Sequence, residues 1–257
     1  MANLFDGIEI FFDSIKEKCS DEEEYAAEIL KARGFLLEDA GLVLSDNSHR
    51  DDALYLNELL TEANFGEVRG NKIFIRPDAN VEKIFYKDNF IGVVADSNGE
   101  SWKKFVHNSF APKISVRCLE PFVARYVKAI SACGVATWCS CHGNHPNRNK
   151  ILIDFTAEPH RLWHEIICKR LLDKRFKFKW NHEYTAAIYF NKRDKWKKYI
   201  ELNRAAEFLY NNRIKIREIR REASDGISNS MTRQLSSEEL AKIFSERANK
   251  LFDDFAI

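Results

Sequence analysis

A cluster of metal-binding residue types lies near the middle of the chain, within residues 134–155. Two of the six cysteines and two of the seven histidines fall between residues 139 and 145. Thiolate sulfur and imidazole nitrogen are ligands that Zn²⁺ prefers. The helix predicted to follow carries two more histidines at i and i+4, on one helical face. The candidate ligands of zinc or another divalent metal are Cys139, Cys141, His142, His145, His160 and His164.

Such a cluster could support metal-assisted chemistry on a phosphodiester or a nucleotide. If the protein is a hydrolase, we expect His145 and His164 to lie beside the metal, with Asp154 as a base or as a residue that orients a ligand. The predicted hairpin 135–155 precedes the predicted helix 159–172, which is the order of elements in ββα nucleases. A metal-dependent hydrolase is therefore one prediction from these residues.

Two other interpretations of the cysteines stay open. Free cysteine is among the most buried residue types, so Cys139 and Cys141 could simply belong to the core. Alternatively, one of these thiols could be a nucleophile with His142 or His145 as its base. The C-x-C-H-x-x-H spacing matches no standard zinc finger, and the chain contains no H-E-x-x-H, phosphate-loop or G-x-G-x-x-G motif.

One short segment resembles a known family. Residues 140–145, SCHGNH, have the S-x-x-G-x-H spacing of archaeo-eukaryotic primase-type polymerases, and they follow a predicted helix and strand as the motif does there. That family also uses a D-x-D pair for two metals. Here the upstream segment VVADSN carries Asn98 in place of the second acid. The resemblance covers six residues and implies a nucleotide or nucleic-acid function.

Charge is unevenly distributed along the chain. Residues 1–100 contain 22 Asp+Glu and 10 Lys+Arg, whereas residues 101–257 contain 17 and 30. In the segment KRFKFKW, Lys177 and Lys179 fall on one strand face and the aromatic residues on the other. A lysine-rich surface binds phosphates without reading base sequence, so we expect RNA or another single strand as partner. The candidate contacts are Lys177, Lys179, Lys192, Arg193, Lys195, Lys197 and Lys198.

A different class of protein fits the same charges. In a non-catalytic regulatory or adaptor protein, the acidic and basic halves would bind separate protein partners, and the basic half would bind an acidic one. The cysteines would then be core residues. The lysines could also simply cover the solvent-exposed side of a helix and protect an edge strand from pairing with another chain. Alternatively, the acidic and basic halves of the protein could face each other.

Periodicity predicts which elements carry these residues. Helices are expected over 4–18, 20–33, 51–66, 120–134, 159–172, 194–223 and from 236 onward. Strands are expected over 71–77, 83–100, 135–141 and 150–155, and as a pair around residues 181–183. Ser20 is expected to cap the second helix and Gly34 to end it. The helix over 194–223 is expected to break at Asn211 and Asn212.

These elements predict an α+β fold with a small mixed or antiparallel sheet, flanking helices and a helical C-terminal extension. We expect three regions: an acidic, mainly helical region with a short strand pair over 1–110, an α+β core with the Cys/His cluster over 111–192, and a basic helical region over 193–257. No apolar run of about 18 residues and no signal-like N-terminus is present. A cytoplasmic protein with reduced thiols and no membrane contact is expected.

Overall fold

The computed structural model describes residues 5–38, 41–85, 102–107, 113–143, 150–172, 176–181, 184–191 and 193–254. The helices are α1 (Glu9–Lys16), α2 (Glu22–Arg33), α3 (Asp52–Glu62), α4 (Trp102–His107), α5 (Pro121–Ala132), α6 (Glu158–Leu171), α7 (Lys195–Asn211), α8 (Arg213–Asp225), α9 (Met231–Gln234) and α10 (Ser237–Asp254). The strands are β1 (Gly66–Arg69), β2 (Lys72–Ile75), β3 (Thr137–Cys141), β4 (Lys150–Phe155), β5 (Lys179–Trp180) and β6 (Thr185–Tyr189).

All the strand pairs in the described ranges are antiparallel. β1 and β2 form a two-stranded sheet, and the other strands form a four-stranded sheet in the order β3-β4-β6-β5. Helix α5 precedes β3, and α6 connects β4 to β5. The predicted order of helix, strand, strand, helix, strand, strand is confirmed. The α+β class with a helical C-terminal region is confirmed as well.

Local sequence signals mark the ends of α2. Asp21 is the N-cap, since its side chain accepts the Glu24 N–H at 2.8 Å. The prediction that Ser20 caps this helix is wrong, because its hydroxyl instead donates to the Glu24 carboxylate at 2.8 Å. Gly34 ends the helix as predicted. Its φ of 108° is in the left-handed region, where a residue without Cβ is favoured.

The C-terminal helices also begin and end where the sequence indicates. Ser236 and Glu239 exchange hydrogen bonds at the start of α10: the Ser236 N–H reaches the carboxylate at 2.8 Å, and the Glu239 N–H reaches the hydroxyl at 3.3 Å. This is a capping box. The long basic helix is interrupted at Asn212, between α7 and α8, which confirms the predicted break.

The two faces of the four-stranded sheet differ in burial. The inner face packs into the core and carries Ile151, Ile153, Phe155, Ala186 and Ile188, all buried. The opposite face, called the outer face below, carries Cys139, Cys141, Lys150, Leu152, Asp154, Lys179, Thr185, Ala187 and Tyr189. Several of these residues are exposed, so the outer face meets solvent.

A β-bulge in β3 changes the predicted facing of its side chains. Thr137 pairs with Phe155, and Cys139 pairs with the preceding residue of β4, Asp154. β3 therefore uses two residues where β4 uses one, and the extra residue is Trp138. Strict alternation along the strand predicts Thr137 on the same face as Cys139 and Cys141. The bulge makes that prediction wrong, because Thr137 lies on the inner side with 4% exposure.

One continuous apolar core includes residues from all three predicted regions. Phe122 of α5 stacks on Tyr199 of α7, with ring centroids 4.8 Å apart, and meets Phe11 of α1 edge-on at 5.5 Å. A buried ion pair also joins α3 to α5, since Lys128 Nζ lies 2.8 Å from Asp52 Oδ2. The acidic and basic parts of the chain are thus packed together.

Some short elements were not predicted. These are β1, α4, α9 and two 3₁₀ turns. The first turn, Val81–Phe85, overlaps the start of the predicted strand 83–100, and the second is Val116–Cys118. Residues 86–100 of that prediction lie outside the described residues. Within the described ranges, no helix has both the length and the apolar character needed to cross a membrane.

Candidate functional site

Cys139 and Asp154 are cross-strand partners on the outer face. The Cys139 thiol donates to Asp154 Oδ2 at 3.1 Å, and the Thr185 hydroxyl donates to the other carboxylate oxygen at 2.7 Å. Partial desolvation and the neighbouring carboxylate raise the pKa of Cys139 to about 12. The thiol is therefore protonated near neutral pH, and Cys139 is not prepared as a thiolate nucleophile.

Cys141 and His142 lie in a buried polar cluster at the end of β3. The Cys141 sulfur accepts the Gly143 N–H at 3.3 Å. The His142 N–H donates to Glu120 Oε2 at 2.5 Å, and its carbonyl oxygen accepts the Tyr199 hydroxyl at 2.5 Å. Glu120 precedes α5 and Tyr199 belongs to α7. These contacts attach the strand end to two helices.

His164 is completely buried beneath the inner face. The Trp180 indole N–H donates to His164 Nδ1 at 3.0 Å. Because an indole can only donate, Nδ1 is an acceptor and the neutral ring carries its proton on Nε2. Nε2 then donates to the Tyr126 oxygen at 2.9 Å, which leaves the Tyr126 hydroxyl to donate to Cys168 at 3.5 Å. Burial lowers the pKa of His164 to about 3.

His160 has a similar place in the core, one turn earlier on α6. Its Nδ1 accepts the Ala136 N–H at 3.0 Å, and its ring meets Phe105 edge-on with centroids 5.0 Å apart. Only 2% of the residue is exposed. The i, i+4 spacing does place His160 and His164 on one helical face. That face is the one that packs into the protein, and each ring is held there by hydrogen bonds.

The predicted metal ligands occupy separate environments in the described part of the chain. The pair of Cys139 and Asp154 faces outward, Cys141 and His142 lie at the strand end, and the two α6 histidines are in the core. His145 lies outside the described residues. Among the residues that are described, no three His, Cys, Asp or Glu side chains form a group that could hold a metal. The metal and catalytic assignments stay predictions.

An exposed aromatic ring lies between two lysines on the outer face. Tyr189, at the end of β6, is 55% exposed. The Lys179 ammonium lies 5.1 Å from the centroid of its ring, and the Lys150 ammonium lies 5.9 Å from it. Lys150 is the register partner of Tyr189 in β4, and Lys179 belongs to the edge strand β5. Three strands thus bring two positive charges to one ring.

Small and apolar residues continue this surface along the sheet. Leu152, Ala187 and Lys179 are successive partners across β4, β6 and β5. Ala187 is only 6% exposed and stands two residues before Tyr189. The sheet beside the tyrosine ring is therefore apolar, and Ala187 itself is covered by its neighbours.

The predicted nucleic-acid contacts have different environments. Lys177, Lys179, Arg193 and Lys197 are exposed, whereas Lys195 lies 4.1 Å from the Trp196 ring centroid, and Lys198 is 2.7 Å from Glu201. Partial burial lowers the pKa of Lys195. Lys192 lies outside the described residues.

Sequence reasoning missed Lys150 and Tyr189. A signal for both was present in the strand patterns, because Ile151 and Ile188 are inward residues and their neighbours must point outward. What the sequence did not indicate was that β4 and β6 are adjacent and place these neighbours opposite each other.

The chain matches no known protein family, no curated protein and no solved structure. No relative therefore supplies a substrate or a cofactor. The geometry and charge of the described residues carry the proposals that follow.

Proposed function

We propose that the protein binds single-stranded nucleic acid, RNA in particular, on the outer face of its four-stranded sheet. The observation that carries the proposal is the exposed Tyr189 ring between the ammonium groups of Lys150 and Lys179. A base can stack on the ring while the phosphates on either side meet the lysines. Unpaired bases have free π-faces, so this geometry favours single strands over a duplex.

The charge around the ring supports a polyanionic partner. Among the described residues, no carboxylate forms an ion pair with Lys150 or Lys179, and both ammonium groups lie beside the Tyr189 ring. Lys177, Arg193 and Lys197 are also exposed, and Lys177 and Arg193 lie close in sequence to β5 and β6. Phosphate contacts of this type give affinity with little sequence preference. We therefore expect binding that depends strongly on salt and weakly on base sequence.

A second proposal adds a divalent metal, zinc first, at Cys139 and Asp154. The supporting observation is a thiol and a carboxylate 3.1 Å apart on the same outer face, sharing one proton. A divalent cation would replace that proton and be bound by both groups. His145 is the predicted additional ligand. A metal there would lie on the surface that we propose for nucleic acid, where it could serve phosphodiester or nucleotide hydrolysis.

Fluorescence anisotropy with short labelled single-stranded RNA, the same sequence as DNA, and a duplex tests the first proposal. Single strands should bind more tightly than the duplex, and affinity should fall steeply between about 50 and 200 mM salt. Absence of binding at low salt would remove the proposal. It would favour the adaptor alternative, in which the basic surface meets an acidic protein.

Elemental analysis of the purified protein and of Cys139→Ser tests the second proposal. About one zinc per chain is expected in the unmodified protein, and much less in the variant. Cys118→Ser is a matched control, because Cys118 is a partly exposed thiol remote in sequence from the pair. A zinc content that is unchanged in Cys139→Ser, or zero in all preparations, would contradict it. Nucleic-acid binding can succeed or fail independently of this result.

A further inference from the structure

A cavity of about 310 Å³ lies among α5, the junction of α7 and α8, and the segment that precedes α3. Its described lining includes the basic residues Lys113, Lys128, Arg213 and Arg217, and no carboxylate. Arg213 and Arg217 are four residues apart on α8, so both guanidinium groups point to one side of the helix. Four cationic side chains thus converge on one small volume.

Backbone carbonyl groups hold two of these cations in place. Lys113 Nζ donates to the Asp46 carbonyl oxygen at 2.7 Å. Arg213 Nη1 donates to the Tyr210 carbonyl oxygen at 2.8 Å, and its guanidinium lies 4.1 Å from the centroid of the Tyr210 ring. A carbonyl group positions a cation without neutralising it. These side chains are therefore oriented and keep their net positive charge.

Lys128 contributes differently from the others. Its ammonium group is paired with Asp52 at 2.8 Å and also donates to the Ile114 carbonyl oxygen at 2.5 Å. This buried pair is close to neutral overall. Lys113 and Arg213, each held by a carbonyl group, supply positive charge to the cavity, and Arg217 also lines it. That lining suits an anionic group.

We propose that this cavity binds a small organic molecule that carries a phosphate group. Arginine and lysine are the residues that bind phosphate oxygens, arginine in a bidentate manner. Leu36, Ile114 and Ala132 provide apolar walls for the organic part of the ligand. The volume is at the lower end of the range for small-molecule sites, roughly 300–1,000 Å³. It suits a mononucleotide or a sugar phosphate and not a polymer.

The same phosphate chemistry could come from the backbone of a nucleic acid. Lys150, Lys179 and Tyr189 belong to the outer face of the sheet and none of them lines this cavity. The cavity proposal therefore does not depend on the proposed nucleic-acid surface. Measuring both ligand types on the same variants separates the two sources.

Isothermal titration calorimetry of the full chain with adenosine monophosphate, inorganic pyrophosphate and adenosine provides the test. The two phosphate compounds should bind, and adenosine, which lacks phosphate, should not. Arg217→Gln and Lys113→Gln should each weaken adenosine monophosphate binding by about tenfold or more, because each removes a charge-assisted hydrogen bond. Lys215→Gln is the matched control, since Lys215 is an exposed residue of α8 outside the cavity lining.

A second measurement avoids substitutions. Pyrophosphate should protect Lys113 from chemical acetylation, measured by mass spectrometry, and should leave Lys215 unprotected.

The proposal is overturned if adenosine binds as well as adenosine monophosphate, if Arg217→Gln changes nothing, or if neither phosphate compound binds or protects at millimolar concentration. It is also overturned if Arg217→Gln weakens only oligonucleotide binding, because the cavity would then belong to a nucleic-acid surface.

Discussion

The two sheets of this protein carry the same kind of surface pair in different electrostatic settings. In the two-stranded sheet, the exposed Phe74 ring has the Arg69 guanidinium 5.2 Å from its centroid. In the four-stranded sheet, Tyr189 has two lysines at similar distances. Arg69 forms an ion pair with Glu67 of its own strand. No described carboxylate pairs with the lysines beside Tyr189.

If the proposed surface binds nucleic acid, this difference predicts that a cation beside a ring does not by itself make an anion-binding surface. A neighbouring carboxylate cancels the attraction for phosphate, although the cation–aromatic contact persists. The two-stranded sheet also belongs to the acidic part of the chain, and the four-stranded sheet to the basic part. Phe74 and Arg69 are therefore matched controls for substitutions at Tyr189 and Lys179.

The largest expected effect concerns the ion pair that connects the two parts. Asp52 begins α3, which leads into the two-stranded sheet, and Lys128 lies in α5, which leads into the four-stranded sheet. Lys128→Met leaves the Asp52 charge buried without its partner. The free energy of unfolding should fall by about 3–5 kcal/mol, measured by urea denaturation.

The exposed surface pair of Lys16 and Glu22 provides the control for that measurement. Lys16→Met should lower the free energy of unfolding by less than about 1 kcal/mol. Because the core is continuous, Lys128→Met should shift one cooperative transition. Two separated transitions would mean that the sheets unfold independently and that the ion pair does not join them.

Acid should lower the free energy of unfolding because His164 is buried beneath the inner face of the four-stranded sheet. The pKa of this residue is about 3 in the folded chain and near 6.5 when unfolded, so the unfolded state binds the proton more readily. The contribution of neutral His164 to the free energy of unfolding is complete above pH 6.5. Between pH 6.5 and 3 it falls by about 1.4 kcal/mol for each unit by which the pH is lowered. His164→Gln should remove this slope.

Denaturation of the unmodified protein and His164→Gln at pH 6.5 and 5 measures the difference. That window lies above the range where most carboxylates titrate. His49→Gln, at a partly exposed histidine near α3, is the control and should retain the slope. Parallel pH profiles for the unmodified protein and His164→Gln would show that the buried ring does not titrate as expected.

Removal of the stacking ring should have a moderate effect on binding. Tyr189→Ala should weaken single-stranded RNA binding about 5- to 150-fold, because stacking of a base on an aromatic residue contributes about 1–3 kcal/mol. Phe74→Ala removes the comparable ring in the acidic part and should leave affinity unchanged. Equal losses in both variants, measured by anisotropy, would end the distinction between the two sheets.

The smallest expected effect is on salt dependence. Lys179→Ala should reduce the slope of log affinity against log salt by about 0.7, the value for one phosphate contact to a single strand. Arg69→Ala should leave the slope unchanged, because Glu67 already pairs with that guanidinium. An unchanged slope in Lys179→Ala would exclude this lysine as a phosphate contact.

Much of the architecture could be predicted because its signals are local. The Gly34 helix end, the capping box at Ser236 and the break at Asn212 depend on residues within one turn of each other. The order of helices and strands in the α+β core was also readable from periodicity. The cap of α2 was misassigned by one residue, since Ser20 and Asp21 are both capping types and only geometry separates them.

The candidate site was less predictable because its environment depends on distant parts of the chain. Cys139 and Cys141 have the same residue type and lie two positions apart, yet one faces solvent and the other is buried. Lys150, Tyr189 and the cavity-lining Arg217 carried no motif. Their proposed roles depend on which strands and helices become neighbours.

The sequence alone determined the residue types, the helix and strand periods, and the concentration of positive charge in the second half. Tertiary structure decided what those residues face. The bulge at Trp138 set the facing of Thr137. Burial among residues such as Tyr126, 38 positions earlier in the chain, lowered the pKa of His164 and keeps its ring neutral. The physical reason is that backbone periodicity is a property of neighbouring residues. Burial, hydrogen-bond partners and pKa are set by contacts between segments far apart in sequence.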